Sequence, residues 1–256
     1  MIGNRPAQNE WEIKRLGKFT ASRIKDLLTE PKLKTAKEAG ELSETAKSYI
    51  LEKVTEIATG TTRSVSTYAT EWGNEYEPAA ALRIKERYPD FIYLGKDNPK
   101  FFEYSDFSGG SPDGYAIASK LVGEVKCPEN PVNHTKYVLM KSQYDLQKIE
   151  PEYYSQIQFN MMCVAKELKC DFSEMKGLFV SFCPIYEGVF EPLQYKELEI
   201  FPDLDFEAKV KAALPKSEKI LAETYNTMLE LVTPDPILIT GDTIQGQNIL
   251  IAEKIN

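Results

Sequence analysis

Between residues 109 and 128 the chain reads GGSPDGYAIASKLVGEVKCP, which places Asp113 in a Ser-Pro-Asp-Gly turn and then sets Glu124 and Lys126 two residues apart. On an extended strand, residues i and i+2 point to one face. Glu124 and Lys126 therefore project together, while the Val125 side chain packs inward and its carbonyl can still face the site. If residues 113–119 and 121–127 pair as antiparallel strands around Ser119-Lys120, Asp113 returns beside Glu124, and two carboxylates and a carbonyl converge. Hard divalent ions such as Mg2+ take oxygen ligands of this kind and keep several waters. Such an ion lowers the pKa of a bound water and shields phosphoryl oxygens from the nucleophile. Lys126, held charged near the carboxylates, can orient the attacking water or neutralise charge growing on a scissile phosphate. In outline this is a nuclease-type metal site. Each half alone is commonplace, since Ser-Pro-Asp-Gly is an ordinary turn and Glu-x-Lys is frequent on exposed strands. The reading rests on both together, in order, with apolar alternation around the second.

Other chemistries have less to work with. The chain has a single histidine, His134, so it cannot build a two-histidine metal site, and a Ser-His-Asp triad would rest on that one residue. The cysteines at 127, 163, 170 and 183 show no C-x-x-C spacing, which leaves a zinc ribbon or iron-sulfur cluster unsupported and reads as buried thiols. A formal net charge of -8 speaks against nucleic acid, because duplex binding needs local positive potential. Net charge is not local charge, however: a basic lining can coexist with an acidic exterior.

At 256 residues and 42% hydrophobic composition the chain can bury one large core. The expectation is a single domain over 1–232 with a C-terminal tail, 233–256, forming a hairpin or an intersubunit strand. No apolar run approaches the roughly 18 residues of a membrane span, and MIGNRPAQNEWEIKR lacks the apolar stretch of a signal peptide. A cytoplasmic protein is expected.

The elements that must position the site follow from periodicity and caps. A helix is expected from Thr20 or Ser22, with Ile24, Leu27 and Leu28 as its buried stripe. Ser22 near its N-cap, with Arg15 and Arg23, could make a phosphate site, but taken alone the segment reads first as a plain capped helix. Residues 29–47 read as a solvated loop passing into a helix over Ser43–Ala58 that stops at Gly60. Residues 67–89 are helical, with Pro78 in the first turn or kinking a longer helix. Glu77, just before that proline, is either a metal ligand reached through water or a solvated or capping residue. Residues 129–150 read as a mobile or partly helical connection in which His134 is an exposed imidazole or a substrate contact. Pro151 opens a helix with Tyr153, Ile157, Met161 and Val164 on one stripe and Gln156, Asn160 and Cys163 on another, so that Gln156 can hydrogen-bond a phosphate or the attacking water. KGLFVSFCP and QYKELEIFP read as strands, and Leu204–Leu231 as a helix.

The order W-x-x-x-R-L-G-x-x-T-A-S, W-G-x-x-Y-E, S-P-D-G, E-x-K-C-P and Y-x-x-Q-x-Q, spanning residues 11 to about 165, resembles the phage lambda exonuclease family of YqaJ-type viral recombinases, within the PD-(D/E)xK nucleases. The resemblance implies an α/β, restriction-endonuclease-like core: a central mixed β-sheet flanked by α-helices. It implies a Mg2+-dependent 5′ to 3′ double-strand DNA exonuclease with two ions per site, Mn2+ being a plausible substitute. Asp113, Glu124 and the Val125 carbonyl match the metal ligands, and Lys126 matches the catalytic lysine. Glu77 and Gln156 fall on the family's acidic residue and glutamine, and Arg15, Ser22 and Ser111 on positions that gather around the 5′ phosphate. It also implies duplex DNA ends as substrate, a single-strand annealing protein as partner in phage-type recombination, and a homo-oligomer, a trimeric ring by resemblance. Alternatives on the same fold are a flap or branch endonuclease or a 3′ to 5′ nuclease. A non-catalytic DNA-end-binding module is a third, which the joint presence of Asp113, Glu124, Lys126 and Gln156 disfavours.

Overall fold

The computed structural model describes residues 10–62, 68–232, 237–239 and 253–255. After a six-residue helix α1 (Glu10–Arg15), the chain enters a two-residue strand β1 (Phe19–Thr20), a 3-10 turn over Ala21–Arg23 and a single helical turn α2 (Ile24–Leu27). Thr20 is extended (φ -106°, ψ 152°) and caps nothing with its side chain, which corrects the expected helix start: the segment is held from outside rather than by its own cap. A short α3 (Lys34–Glu38) interrupts the expected solvated loop. Helix α4 (Glu44–Thr59) begins and ends where its signals predict. Ser43 accepts the Ala46 amide, and Gly60 closes it in the left-handed region (φ 65°) that only glycine adopts freely. Helix α5 (Tyr68–Arg87) runs through Pro78.

Strands β2 (Phe91–Tyr93), β3 (Phe102–Ser105), β4 (Ser108–Gly110), β5 (Gly114–Ala116) and β6 (Leu121–Lys126) follow, then α6 (Pro131–Val138), α7 (Gln143–Ile149), α8 (Pro151–Leu168), β7 (Lys176–Phe182), β8 (Tyr195–Ile200) and α9 (Leu204–Val232). The main sheet has the order β2-β5-β6-β7-β8; β6 and β7 are parallel and the other neighbours antiparallel. The β5–β6 hairpin is shorter than expected, pairing Gly114–Ala116 with Leu121–Gly123 before β6 continues against β7.

The two faces of β6 are dressed differently. Leu121 and Val125 pack with Ala80, Ala81 and Ile84 of α5, whereas Val122 packs with Ile157 and Met161 of α8. By strand alternation Glu124 and Lys126 share the Val122 face, under α8. The paired glycines Gly114 and Gly123 make room for the Phe91 ring, which a Cβ on either would strike.

A second, small sheet of order β1-β4-β3 decides where the N-terminal segment goes. Parallel pairing of Phe19 with Ser108 and Thr20 with Gly109 sets Ala21 against Gly110, as the chain runs on toward Ser22 on one strand and Ser111 on the other.

The connection over 129–150 takes the partly helical of its two expected forms, as two capped helices. Asn130 accepts the Val132 amide with Pro131 in the first turn, and Ser142 and Asp145 form a capping box. His134, on α6, is fully buried, which overturns both expectations for it. Strands Ile237–Ile239 and Glu253–Ile255 pair in parallel, a pairing that two arms of a hairpin do not make, and the rest of the tail lies outside the described residues. Cys127, Cys163 and Cys183 are buried free thiols, and Cys170 is half-buried.

Candidate active site

Glu124 lies at the centre, with no exposed surface. Its Oε1 accepts hydrogen bonds from Lys126 Nζ and from Gln156 Nε2, each at 2.6 Å, and its Oε2 accepts one from Asn160 Nδ2 at 3.3 Å. Gln156 and Asn160 are one helical turn apart on α8, so a single helix face grips both carboxylate oxygens. Asp113 is brought up by the hairpin: its amide donates to the Gly123 carbonyl at 3.1 Å, and its Oδ2 accepts the Val125 amide at 2.6 Å. Glu77 enters from α5 and accepts a hydrogen bond from the Tyr93 hydroxyl at 3.1 Å. The Lys126 ammonium sits 4.9 Å from the Tyr153 ring centroid.

Three carboxylates here share one lysine, and the electrostatics show the imbalance. Burial, then the Asp113 charge, pushes Glu124 up to about 8 despite Lys126. Burial and Asp113 likewise push Glu77 up to about 7. Asp113 is raised by burial against the pull of Lys126 and the Val125 amide. Burial works against the charge on Lys126, but Glu124 and Asp113 outweigh it and hold the ammonium protonated. A site whose acids retain protons for want of positive charge is suited to a cation, and its all-oxygen donors suit a hard one. Among the described residues no three His, Cys, Asp or Glu side chains are placed to hold an ion by themselves. An ion here would draw on Asp113 and Glu124 with backbone oxygen and water.

A cavity of about 440 Å³ adjoins this cluster, and Asp113, Glu77 and Gln156 line it together with Arg15, Ser22, Ser111, Thr20 and Trp11. Trp11 Nε1 donates to Ser111 Oγ at 2.9 Å, and the Arg15 guanidinium lies 4.2 Å from the Trp11 ring centroid. The ring thus supports both a hydroxyl and a planar cation, a surface suited to an anion. Ser22, exposed, adds a hydroxyl 3.2 Å from Thr20 Oγ1.

All the residues expected at the site therefore fall in one neighbourhood: Asp113, Glu124, Val125, Lys126, Gln156 and Glu77 around the carboxylates, and Arg15, Ser22 and Ser111 on the cavity lining that Asp113, Glu77 and Gln156 share. Arg23 does not join them; it pairs with Asp26 at 2.8 Å and Glu52 at 2.5 Å and stacks on Tyr49. Nor does His134, whose Nδ1 meets Ser181 Oγ and whose Nε2 meets the Leu193 carbonyl, both at 2.7 Å. Because a carbonyl only accepts, Nε2 carries the proton and Nδ1 accepts from Ser181. Burial lowers this imidazole below its ordinary pKa.

Sequence reasoning missed Trp11, Thr20, Tyr93 and the role of Asn160. Trp11 and Thr20 stood in the motif around Arg15, and Asn160 stood four residues after Gln156. Tyr93 carried no signal.

The chain matches the YqaJ-like viral recombinase domain over residues 10–167. Comparison with curated protein sequences gives no match. Among solved structures the chain is similar to an alkaline exonuclease from Laribacter hongkongensis, at 24% identity and a TM-score of 0.59 over 88% of this chain and 100% of that one. The same exonuclease in complex with dAMP gives 25%, 0.60, 88% and 100%. A phage-related exonuclease from Haemophilus somnus 129PT gives 21% and 0.65 over 82% of this chain and 96% of that one. The mixed sheet flanked by helices is the fold of these alkaline exonucleases. No helix among the described residues is long and apolar enough to cross a membrane.

Proposed function

The chain belongs to the YqaJ-like viral recombinase family, and from that premise we propose that it is a Mg2+-dependent exonuclease that degrades the 5′-ended strand of duplex DNA and leaves a 3′ single-stranded overhang for phage-type recombination. The observation that carries this reading is the cavity itself, whose lining combines the half-buried carboxylates Asp113 and Glu77 with a Trp11-backed arginine and two serines. Such a cavity can hold a terminal phosphate while the next phosphodiester lies over the carboxylates. The dAMP found with the Laribacter enzyme, a mononucleotide, accords with release of single nucleotides from an end.

In this mechanism Asp113, Glu124 and the Val125 carbonyl would hold the divalent cations, two per site with Mn2+ as a substitute, and Glu77 would act on them through water. When bound, the cations would supply an acidified water and charge neutralisation at the phosphoryl oxygens. Lys126, protonated, stabilises charge on the scissile phosphate, and with Gln156 it positions the water. Arg15, Ser22 and Ser111 bind the 5′ phosphate and so fix which bond reaches the carboxylates. Residues 1–232 act as one catalytic domain, in the cytoplasm, as a homo-oligomer that is a trimeric ring by family resemblance. An annealing protein coats the exposed strand.

The test is digestion of linear duplexes bearing 5′-phosphate or 5′-hydroxyl ends with Mg2+, following label loss from each strand end, with Asp113→Ala as the blank. Faster loss from phosphorylated 5′ ends, abolished in the variant, is expected. Loss from 3′ ends or internal nicking would overturn the polarity, and end binding without cleavage in either Mg2+ or Mn2+ would overturn the enzyme.

A further inference from the structure

Segment 15–22 carries two of the three groups proposed to bind the 5′ phosphate, yet it has little structure of its own. It consists of the end of a six-residue helix, a turn, a two-residue strand and the start of a 3-10 turn without a side-chain cap. Besides its pairing with β4, it is held by α4. Tyr49, Lys53 and Glu56, at i, i+4 and i+7, lie on one face of that helix and are all buried. Glu56 Oε2 accepts the Gly17 amide at 3.0 Å, while its Oε1 takes the Lys53 ammonium at 2.8 Å. Gly17 adopts φ 70°, and a Cβ there would lie 2.3 Å from Ile57 Cγ1, so the chain passes against α4 with no room for a side chain. The Tyr49 ring is wedged between Phe19, edge-on at 5.4 Å, and the Arg23 guanidinium at 4.1 Å.

The Tyr49 hydroxyl accepts the Thr20 amide at 2.9 Å and stands 3.3 Å from Thr20 Oγ1, which stands 3.2 Å from Ser22 Oγ. Three hydroxyls thus form a chain from the core to the cavity. An anion in the cavity accepts the Ser22 hydrogen, so Ser22 takes its own hydrogen bond from Thr20, and Thr20 takes one from Tyr49. Burial raises the Tyr49 phenol to about 12, so it keeps the hydrogen this direction requires.

We infer that Tyr49 is a positioning residue for the phosphate anchor, orienting Ser22 through Thr20 as a donor to the 5′ phosphate and so setting how strongly phosphorylated ends are preferred. This rests on the proposed 5′-phosphate anchor. The test compares digestion rates of 5′-phosphate and 5′-hydroxyl duplexes by the full chain, by Tyr49→Phe, which keeps the ring between Phe19 and Arg23, and by Thr20→Val, which breaks the middle link. The ratio of the two rates is expected to fall about tenfold in each variant, the order of one hydrogen bond to a charged group. If Tyr49→Phe does not fold, Thr20→Val decides alone. A wild-type preference that persists in the variants, even with both rates reduced equally, overturns the inference and leaves Tyr49 a packing residue. A wild-type protein with no preference refutes the anchor itself, and the inference falls with it.

Discussion

Gly110, the last residue of β4, is separated from the carboxylate cluster by a single side chain, and that makes Gly110→Ala an incisive perturbation. A Cβ at Gly110 would lie 2.1 Å from Asn160 Oδ1 and 3.2 Å from the Ala21 Cβ, the first more than 1 Å inside ordinary contact. Asn160 is fully buried and cannot retreat to solvent. Its Oδ1 finds no hydrogen-bond partner among the described residues, so turning the amide sacrifices nothing on that side. On the other side, Nδ2 holds Glu124 Oε2 at 3.3 Å, already long, and any turn breaks that bond. Overpacking of this kind costs about 1–3 kcal/mol, and a lost hydrogen bond to a charged group about 1.5–3 kcal/mol. The two do not add, because breaking the bond relieves the clash, so a net loss of about 2–4 kcal/mol follows. For a chain this size that is a fall in Tm of roughly 5–15 °C. Freed on one side, Glu124 should bind a divalent cation about 10–100-fold more weakly. Thermal melts without metal, and Mg2+ and Mn2+ titrations followed by calorimetry, read the two effects separately. Adding Asn160→Ala should recover much of the stability, by removing the clashing oxygen, without recovering metal affinity, because the donor to Glu124 is still missing. A Gly110→Ala protein with the wild-type Tm and an unchanged metal titration would refute the reasoning.

Lys126→Met should lower kcat about 10²–10³-fold at saturating Mg2+, with end binding retained in a gel-shift assay; a full rate would remove Lys126 from the mechanism. In the metal-free protein, Glu124 and Glu77 hold their protons to about 8 and about 7 against an ordinary 4.5. The unfolded chain releases those protons first, so their contribution to stability is greatest below pH 4.5 and is lost as pH rises toward 8. Urea melts in EDTA at pH 5 and pH 8 should show this loss, and Glu124→Gln should reduce it; an unchanged difference would contradict the burial of that charge. His134 has the opposite sign: its folded pKa is depressed, so the unfolded chain takes up the proton first and stability falls as pH drops below about 6.5. As the sole histidine, its imidazole NMR titration should give a midpoint below the ordinary 6.5.

What the sequence disclosed and what it hid divide along the range of the forces involved. The Asp113 turn, the Glu124-Lys126 spacing, the Ser43 and Gly60 caps and the Pro151 helix start were all legible, because each is decided within a few residues by alternation, capping or a fixed φ. The fate of Thr20 was not: its hydroxyl and the apolar stripe after it read as a helix start, and only pairing with Gly109, far along the chain, makes it a strand. His134 was misread for the same reason, since nothing local announces Ser181 and the Leu193 carbonyl. The two capped helices of that connection, one of which carries His134, were more legible than their reading allowed, because Asn130-Pro131 and Ser142-x-x-Asp145 are standard start signals. Asn160 lay on the recognised helix face beside Gln156, but that it shares Glu124 with Gln156 depends on how close α8 passes to β6.

The pairing of β1 with β4 is only two residues long, yet it joins the segment bearing Arg15 and Ser22 to the strand that runs on into Ser111 and Asp113. If the first group grasps a chain end and the second cuts, this short ladder is the enzyme's ruler. A slip of one residue would shift the grip by roughly 3.3 Å relative to the blade, and the first sign of such a slip would be a change in the length of the fragment released.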